Sequence, residues 1–222
     1  MNYRILAEIE RNLTGNNLIT AETGCGRSTI LFSNLSKEHH VFCLDDTGNK
    51  ESSVNYFKES PATCADTLKL HFGATQKVLS SFKHTSQYDC VLIDGPHGYP
   101  FPDLEYFYFY PAIKEGGLLI IDDLQIATIG RMADVIQDDD MWETLSVVGK
   151  TAIFQRTNSQ LVPPDGDHWW MQNFNRRRAR VASIKLDEPS PHESFEDRFR
   201  RTPASRLKKL VRRIRNKVSG HT

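Results

Sequence analysis

The stretch from Leu18 to Leu31, LITAETGCGRSTIL, constrains the fold of this chain more than any other segment. It begins as a short apolar run typical of a strand, turns on Gly24 and Gly26, and continues through Ser28 into a helix-like pattern. Glycines at such a turn let backbone approach a ligand, and the free amides at a helix start attract an anionic group. This order predicts a nucleotide-type cradle. The dinucleotide fingerprint Gly-x-Gly-x-x-Gly is incomplete, because Thr29 stands at the third glycine position.

Apolar runs and helical patterns alternate along the chain and predict an α/β fold with a doubly wound, mostly parallel sheet. After the cradle strand, the pattern predicts strands at 40–44, 68–72, 88–93 and 118–121, with helices at 3–13, 28–35, 53–59, 75–82, 104–113 and 129–136. A turn is predicted at Gly116-Gly117, before the last of these strands. Two further strands, 143–148 and 151–156, flank Gly149-Lys150, which is the signal of an antiparallel hairpin.

Length and composition fit one α/β domain with an appendage. The chain has 222 residues, 39% of them hydrophobic, which suffices for one sizeable core. We assign residues 1–160 to a ligand-binding domain, 161–175 to an aromatic edge or lid segment, and 176–222 to a basic tail. Charged residues at the amino terminus and the lack of any long apolar run favour a cytoplasmic protein. The four cysteines are scattered without a Cys-x-x-Cys pair, which favours free thiols.

The tail is strongly basic although the chain is neutral overall. Residues 176–222 hold 15 Lys and Arg against 5 Asp and Glu, so an acidic body carries the tail. Residues 176–201 are polar and contain proline, which predicts partial disorder, and 206–218 form a basic amphipathic pattern. Such a helix fits a peripheral anionic membrane surface or self-association. Nucleic acid is not expected, because no aromatic-interleaved basic motif is present.

Acidic residues follow two predicted strands. Asp94 follows the strand at 88–93, and Asp122 and Asp123 follow the strand at 118–121. Neighbouring parallel strands lie about 5 Å apart, so these carboxylates can converge, and like charges that close require a cation. Oxygen ligands suit magnesium, calcium or manganese better than zinc. The alternative is that Asp122 and Asp123 only cap the next turn.

Another acid, Asp45, ends the second predicted strand. It stands about 20 residues after the glycine turn, where such folds hold a ribose hydroxyl. The alternative is a solvated loop acid. The cluster that includes Trp169, Trp170 and Phe174 is interpreted as a cover for the sheet edge or a subunit contact, or else as a lid over an acceptor.

The pattern Glu22-x-Gly24-x-Gly26-x-Ser28 resembles motif I of the class I methyltransferases, which bind S-adenosylmethionine. From Leu18 to Leu124 the chain resembles the metal-dependent O-methyltransferases of the catechol O-methyltransferase type. Within it, Tyr88 to Asp123 is most similar to the bacterial methyltransferase family 24, which includes sugar O-methyltransferases of the macrocin type. The resemblance implies a Rossmann-like methyltransferase fold for residues 1–160, closed by the antiparallel hairpin.

The resemblance also implies roles for particular residues. The cofactor-binding residues would be Glu22, Gly24 and Gly26 at the methionine part, Ser28 at its carboxylate, Asp45 at the ribose, Thr75 and Gln76 at the adenine, and Asp94 beside them. Asp94, Asp122 and Asp123 would hold the metal, with Mg²⁺ preferred. His97 stands where the catechol enzymes place a catalytic lysine, so it would accept the hydroxyl proton, with Asp94 as the second catalytic residue. A supporting contact at the metal, or no role, stays open for His97.

The sequence therefore predicts an S-adenosylmethionine-dependent, divalent-metal-dependent O-methyltransferase acting on a hydroxyl of a small molecule or sugar. One rival is an enzyme of the same fold that needs no metal, with Asp94 or His97 alone as the base. The other rival is an inactive nucleotide-binding domain whose basic tail docks it to a membrane surface or a protein partner.

Overall fold

Strands and helices alternate through residues 1–181, which are the part of the chain that the computed structural model describes. The predicted helix at 206–218 lies outside these residues. The strands are β1 (Leu18–Thr23), β2 (Ser36–Cys43), β3 (Leu68–Phe72), β4 (Tyr88–Ile93), β5 (Ile113–Ile121), β6 (Trp142–Val148) and β7 (Thr151–Arg156). The helices are α1 (Tyr3–Asn12), α2 (Arg27–Leu35), α3 (Ser53–Lys58), α4 (Thr75–Ser81), α5 (Phe101–Phe109), α6 (Ala127–Gln137) and α7 (Asn173–Val181). Within the described residues, no helix is both long enough and apolar enough to cross a bilayer.

The seven strands form one sheet in the order β3-β2-β1-β4-β5-β7-β6. Strands β1 to β5 run parallel, and β7 lies antiparallel between β5 and β6. The predicted doubly wound sheet with a closing antiparallel hairpin is therefore confirmed. The order reverses at β1, and parallel sheets of this kind bind ligands beyond the carboxyl ends of the strands near such a reversal.

The central strands are buried on both faces. Val91 of β4 and Leu119 of β5 face the larger apolar cluster, which also includes residues of α4, α5 and α6. Leu92 of β4 faces the opposite cluster together with Ile5 and Ile9 of α1, and all three are fully buried. Near-continuous apolar runs are what a parallel sheet covered on both sides requires. Helices on both faces thus leave the strand ends as the exposed rim of the sheet.

Strand β5 begins five residues earlier than its predicted start at residue 118. The predicted turn at Gly116-Gly117 is instead an irregularity inside the strand, where its pairing with β4 shifts between Tyr88 and Cys90. Gly116 has a positive φ of 76°, and a Cβ on Gly117 would lie 2.9 Å from the carbonyl oxygen of Lys114. The glycines therefore allow a bulge rather than ending the strand.

The aromatic segment at 161–175 packs against the domain. The Trp169 ring meets the Tyr110 ring edge-on at 5.1 Å, and the Tyr110 hydroxyl donates to the carbonyl of Val162 at 2.7 Å. Helix α7 follows, although the sequence analysis placed partial disorder from residue 176. Its early turns are held by Asn173, which donates to Asp140 at 2.8 Å, and by an ion pair between Arg177 and Asp138 at 2.5 Å.

Candidate active site

The candidate active site lies at the carboxyl ends of β1, β4 and β5. The register pairs Thr23 with Ile93 and Ile93 with Ile121, so each strand ends at the same level. The residues that follow, Gly24, Asp94 and Asp122, therefore emerge side by side. This register brings the glycine turn next to the acids that follow β4 and β5.

The glycine turn is packed tightly against the end of β4. Gly24 has a φ of +79°, and a Cβ built on it would lie 2.3 Å from the carbonyl oxygen of Asp94. Only glycine fits this close approach. Gly26, with a φ of +154°, precedes α2, and its amide donates to the Thr29 hydroxyl at 2.8 Å. The turn thus delivers the amino end of α2 to the rim.

Glu22 is fully buried and holds this turn from beneath. Its carboxylate accepts hydrogen bonds from Ser28 at 2.5 Å and from the Thr29 hydroxyl, and it lies 3.2 Å from Nε2 of the buried His39. The Ser28 hydroxyl therefore already has a carboxylate partner inside the protein. This geometry makes Glu22 a support of the turn, and it leaves the backbone amides of α2 as the groups that can face an anion.

A pocket of about 460 Å³ opens beside the turn. Its lining is largely apolar and includes four predicted cofactor residues, Gly24, Thr75, Gln76 and Asp94. Gly73 precedes Thr75 with a φ of +142°, and its amide donates to the carbonyl of Cys43 at 2.9 Å. The pocket has the size and lining of a site for a flat, mostly apolar ligand group with a few polar anchors.

The acids after β2 differ from the prediction in their placement. Asp46, not Asp45, lines this pocket. Asp46 accepts from the Ser52 hydroxyl at 2.6 Å and from the amides of Ser53 and Val54, so it caps α3. Asp45 is exposed and accepts from the Thr47 hydroxyl at 2.7 Å. Hydrogen bonding lowers the pKa of both carboxyls. A ribose contact by Asp45 stays a prediction.

A second pocket, of about 610 Å³, adjoins the first. Cys25, Ser53 and Asp94 line both pockets, and the second adds Gly26 and Ser28 from the glycine turn. Its remaining walls are mixed in charge and include Arg27, Lys50, Glu51, Tyr56 and Glu59. Asp94 therefore stands at the junction of an apolar pocket and a pocket of mixed polarity.

Three of the candidate chemical groups meet at this junction. Oxygen or nitrogen atoms of Asp94, His97 and Asp123 all lie within 4.8 Å of one another, a spacing suited to a metal ion. Nε2 of His97 lies 2.9 Å from Asp123 and 3.9 Å from Asp94. The Thr128 hydroxyl donates to the carbonyl of His97 at 2.8 Å and fixes its loop.

Asp94 and Asp123 have different electrostatic surroundings. Burial, reinforced by the nearby Asp122 charge, raises the pKa of Asp94 to about 7. Burial also acts on Asp123, but hydrogen bonds from Lys150 and Gln125 outweigh it and lower the pKa of that carboxyl. The pair thus provides one carboxyl that resists ionisation and one that stays ionised.

Asp122 lies beside the cluster but faces inward. It is 2% exposed, and its carboxylate accepts from the Thr151 hydroxyl at 2.5 Å. Asp122 is therefore not among the three residues that the geometry groups around one point. Its predicted role as a metal ligand stays a prediction.

Lys150 and Glu105 are two site residues that the sequence reasoning missed. Lys150, in the hairpin turn, forms an ion pair with Asp123. Glu105 lies buried beneath the first pocket and accepts a hydrogen bond from Thr75 at 2.6 Å. A signal existed for Lys150, since an antiparallel β7 beside β5 must begin at the rim. For Glu105 the only signal was an acid inside an aromatic helix.

Solved structures with a similar fold are methyltransferases. One is a candidate O-methyltransferase from Klebsiella pneumoniae, 15% identical over 69% of this chain and 79% of that chain, with a TM-score of 0.56. The O-methyltransferase from Bacillus cereus in complex with S-adenosylhomocysteine is 14% identical over 69% of this chain and 79% of that chain, with a TM-score of 0.54. TomG from Streptomyces achromogenes is an O-methyltransferase of tomaymycin synthesis, solved in complex with S-adenosylmethionine. It is 15% identical over 70% of this chain and 78% of that chain, with a TM-score of 0.53. At these identities the likeness defines the fold, that of the class I methyltransferases.

The sequence also matches a family. Residues 21–124 fit the model of methyltransferase family 24, described as a methyltransferase domain. No curated protein is similar enough in sequence to count as a relative. The match covers the glycine turn, both pockets' shared residues and the acid cluster. The chain is an S-adenosylmethionine-dependent methyltransferase, as the sequence predicted, and residues 21–124 are similar to methyltransferase family 24.

Proposed function

We propose that this methyltransferase transfers a methyl group to a hydroxyl oxygen of a small molecule or sugar, with a divalent metal ion at the acid cluster. The observation that carries the proposal is the position of Asp94. It lines both pockets and belongs to the cluster with His97 and Asp123. Donor, acceptor and a metal ion would meet where these three side chains converge.

The first pocket fits the cofactor. S-adenosylmethionine supplies an electrophilic methyl group on a sulfonium when bound. The apolar wall with Thr75 and Gln76 suits its adenine. The amides at the start of α2, which line the adjoining second pocket, suit its carboxylate. Because Ser28 donates its hydroxyl to Glu22, we assign the carboxylate contact to backbone amides of the turn. The residues present thus fit this cofactor.

The acid cluster fits a divalent cation. Asp94 and Asp123 offer two carboxylates within 4.8 Å. Burial chiefly raises the pKa of Asp94, and the nearby Asp122 charge, which a cation would offset, raises it further. Carboxylate oxygens favour Mg²⁺, whereas a ligating imidazole would widen the choice toward manganese or iron. A cation there would hold acceptor oxygens and lower the pKa of the reacting hydroxyl.

His97 is assigned the proton transfer. Its Nε2 lies 2.9 Å from the Asp123 carboxylate, a distance that requires a proton on that nitrogen. This leaves Nδ1 as the nitrogen that can accept the hydroxyl proton, while Asp123 stabilises the imidazolium that results. Positioning by the two pockets would supply much of the remaining acceleration.

The same contact favours a second mechanism, in which the His97–Asp123 pair acts as the base and no metal is needed. Lys150 already pairs with Asp123 and offsets part of the negative charge. The inactive binding module receives no support from the comparisons or from the geometry. The acceptor itself is proposed only as a class, with a sugar hydroxyl first and a phenol next. We place the acceptor beside Asp94, where the two pockets meet.

The first experiment is calorimetric titration of S-adenosylhomocysteine, with and without Mg²⁺, after chelator treatment. We expect micromolar binding, followed by metal-stimulated methyl transfer to a panel of sugars and phenols. Asp94→Ala and Asp123→Asn should lose the metal stimulation, and Asp122→Ala tests whether the buried Asp122 contributes to it. His97→Ala should lower turnover more than cofactor affinity. Asp89→Asn, at the opposite end of β4, is the control and should leave the metal stimulation, the turnover and the cofactor affinity unchanged.

Two results would redirect the proposal. Full activity of Asp94→Ala under chelation, with activity lost in Asp123→Asn, would leave the metal-free His97–Asp123 pair as the mechanism. A folded protein that binds no S-adenosylhomocysteine in either condition would remove the methyl-transfer proposal.

A further inference from the structure

A buried carboxylate, Glu105 of α5, lies beneath the cofactor pocket without belonging to the acid cluster. It is 1% exposed. Its two oxygens accept from two different threonines, Oε2 from Thr23 at 2.7 Å and Oε1 from Thr75 at 2.6 Å. Thr23 ends β1, and Thr75 begins α4. One side chain therefore joins two of the segments that form the pocket.

Glu105 also controls the end of β4. The amide of Asp94 donates to the Thr23 hydroxyl at 3.2 Å, and that hydroxyl donates onward to Glu105. A Cβ on Gly95 would lie 2.4 Å from Oε1 of Glu105, so the carboxylate packs directly against this backbone. Any side chain at Gly95 would force the Glu105 carboxylate to shift. The carboxylate thus touches the segment that carries Asp94 in two ways.

The arrangement carries an energetic cost. Burial raises the pKa of Glu105 to about 7, and the hydrogen bonds from Thr75 and Thr23 lower it only in part. A buried carboxylate costs more than an apolar side chain of similar volume would. The geometry that this carboxylate imposes, rather than stability, explains its presence under the pocket.

We propose that Glu105 is a positioning residue that fixes Thr75, at the adenine end of the cofactor pocket, and Asp94, at the methyl-transfer end, in one relative geometry. This inference rests on the proposed function, since it takes the first pocket as the S-adenosylmethionine site. Glu105 lies behind both residues and acts only through them. Its loss should affect both cofactor affinity and turnover at saturating cofactor.

The test is Glu105→Gln, which keeps the shape but replaces one accepting oxygen by a donating amide. One threonine hydroxyl then loses its acceptor. We expect S-adenosylhomocysteine affinity to fall by about tenfold or more, as loss of a hydrogen bond to a charged group implies. Turnover at saturating S-adenosylmethionine should fall as well. Thr75→Val should weaken binding too, and the double variant should bind no worse than the weaker single variant.

Tyr106→Phe is the matched control. Tyr106 is the next residue on α5, is buried, and accepts from Trp142 at 2.9 Å, so its loss also removes one buried hydrogen bond. The Tyr106→Phe variant should keep an S-adenosylhomocysteine affinity within about twofold of wild type. The proposal is overturned if Glu105→Gln binds as wild type does, or if Tyr106→Phe weakens binding equally.

Amide hydrogen exchange of the free protein separates this inference from the proposed function. Glu105→Gln should speed exchange in the segments that carry Thr75 and Asp94, and Tyr106→Phe should not. If wild type binds no S-adenosylhomocysteine, the proposed function fails, but faster exchange in both segments would still uphold the positioning role. Unchanged exchange in both segments would overturn it.

Discussion

Single residues at the rim of the sheet adopt backbone conformations that few residue types tolerate. Asp123 has a φ of 63°, in the left-handed region that is uncommon for residues other than glycine. This conformation accompanies its contacts with His97 and Lys150. Gly24 shares the left-handed region, and there the close carbonyl of Asp94 excludes any side chain. Strain of this kind concentrates at functional sites.

Gly24→Ala should damage the cofactor pocket more than the fold. The new Cβ would lie 2.3 Å from the Asp94 carbonyl oxygen, so β4 or the turn must shift. We expect S-adenosylhomocysteine affinity to fall at least about tenfold, with a stability loss of about 1–3 kcal/mol. Calorimetry and urea unfolding measure the two effects. Gly48→Ala is the control, because a Cβ there meets nothing within 4 Å; equal affinities for the two variants would contradict the argument.

Among the secondary-structure elements, the hairpin of β6 and β7 decides how the acids are neutralised. Ile121 of β5 pairs with Ala152 of β7 in antiparallel register. The start of β7 therefore lies at the rim, where Thr151 meets Asp122 and Lys150 meets Asp123. An additional parallel strand would have placed its amino end at the opposite edge.

Lys150→Met should strengthen metal binding at the acid cluster. The Lys150 ammonium pairs with Asp123 and would repel a divalent cation there, so its removal should raise Mn²⁺ affinity roughly threefold to tenfold. Paramagnetic resonance or calorimetry measures this affinity. Lys114→Met is the matched control, since Lys114 pairs with Asp89 away from the rim. An unchanged or weaker Mn²⁺ affinity in Lys150→Met would speak against a metal ion at this place.

For the molecule as a whole, two buried carboxyls at the site link stability to pH. The pKa values of Glu105 and Asp94 are each raised to about 7, chiefly by burial. A carboxyl whose pKa is higher in the folded state binds its proton more tightly when folded. Its contribution to stability is complete below the unfolded pKa and is lost as the pH rises through the folded pKa.

The free energy of unfolding should therefore fall as the pH rises from about 4.5 to about 7, with each carboxyl contributing on the order of 1–3 kcal/mol. Glu105→Gln should flatten part of this slope and leave the part due to Asp94. Urea unfolding at a series of pH values measures how the free energy of unfolding depends on pH. Tyr106→Phe should keep the wild-type slope. An identical slope in Glu105→Gln would show that Glu105 does not titrate in this range.

The basic tail gives a prediction that rests on sequence alone. The full-length chain should bind vesicles of anionic lipid at low salt, and added salt should release it, because clustered Lys and Arg dominate the attraction. Leu210→Asp and Ile214→Asp, on the predicted apolar face of 206–218, should weaken binding. Cosedimentation measures it, with uncharged vesicles as the control. If the chain forms a dimer in solution and does not bind the vesicles, the basic tail serves self-association instead of membrane binding.

The sequence by itself determined the order of strands and helices in this protein and the kind of sheet that they form. Apolar runs ending in acids, glycine turns before helices and the Gly149-Lys150 turn were enough to predict the sheet, the closing hairpin and the family. These are local signals, because strand and helix periodicity and turn chemistry act over a few residues.

Only the tertiary structure decided which polar groups meet. It brought His97, Asp94 and Asp123 together, turned Asp122 toward Thr151, placed Asp46 rather than Asp45 in the pocket, and buried Glu105 between two threonines. Apart from Asp94 and His97, these contacts join residues far apart in the chain, and they depend on strand register and on side-chain direction at the strand ends. The sequence predicted that the strand-end carboxylates can converge, but it left no pattern that tells which side chains turn toward the cluster and which turn away from it.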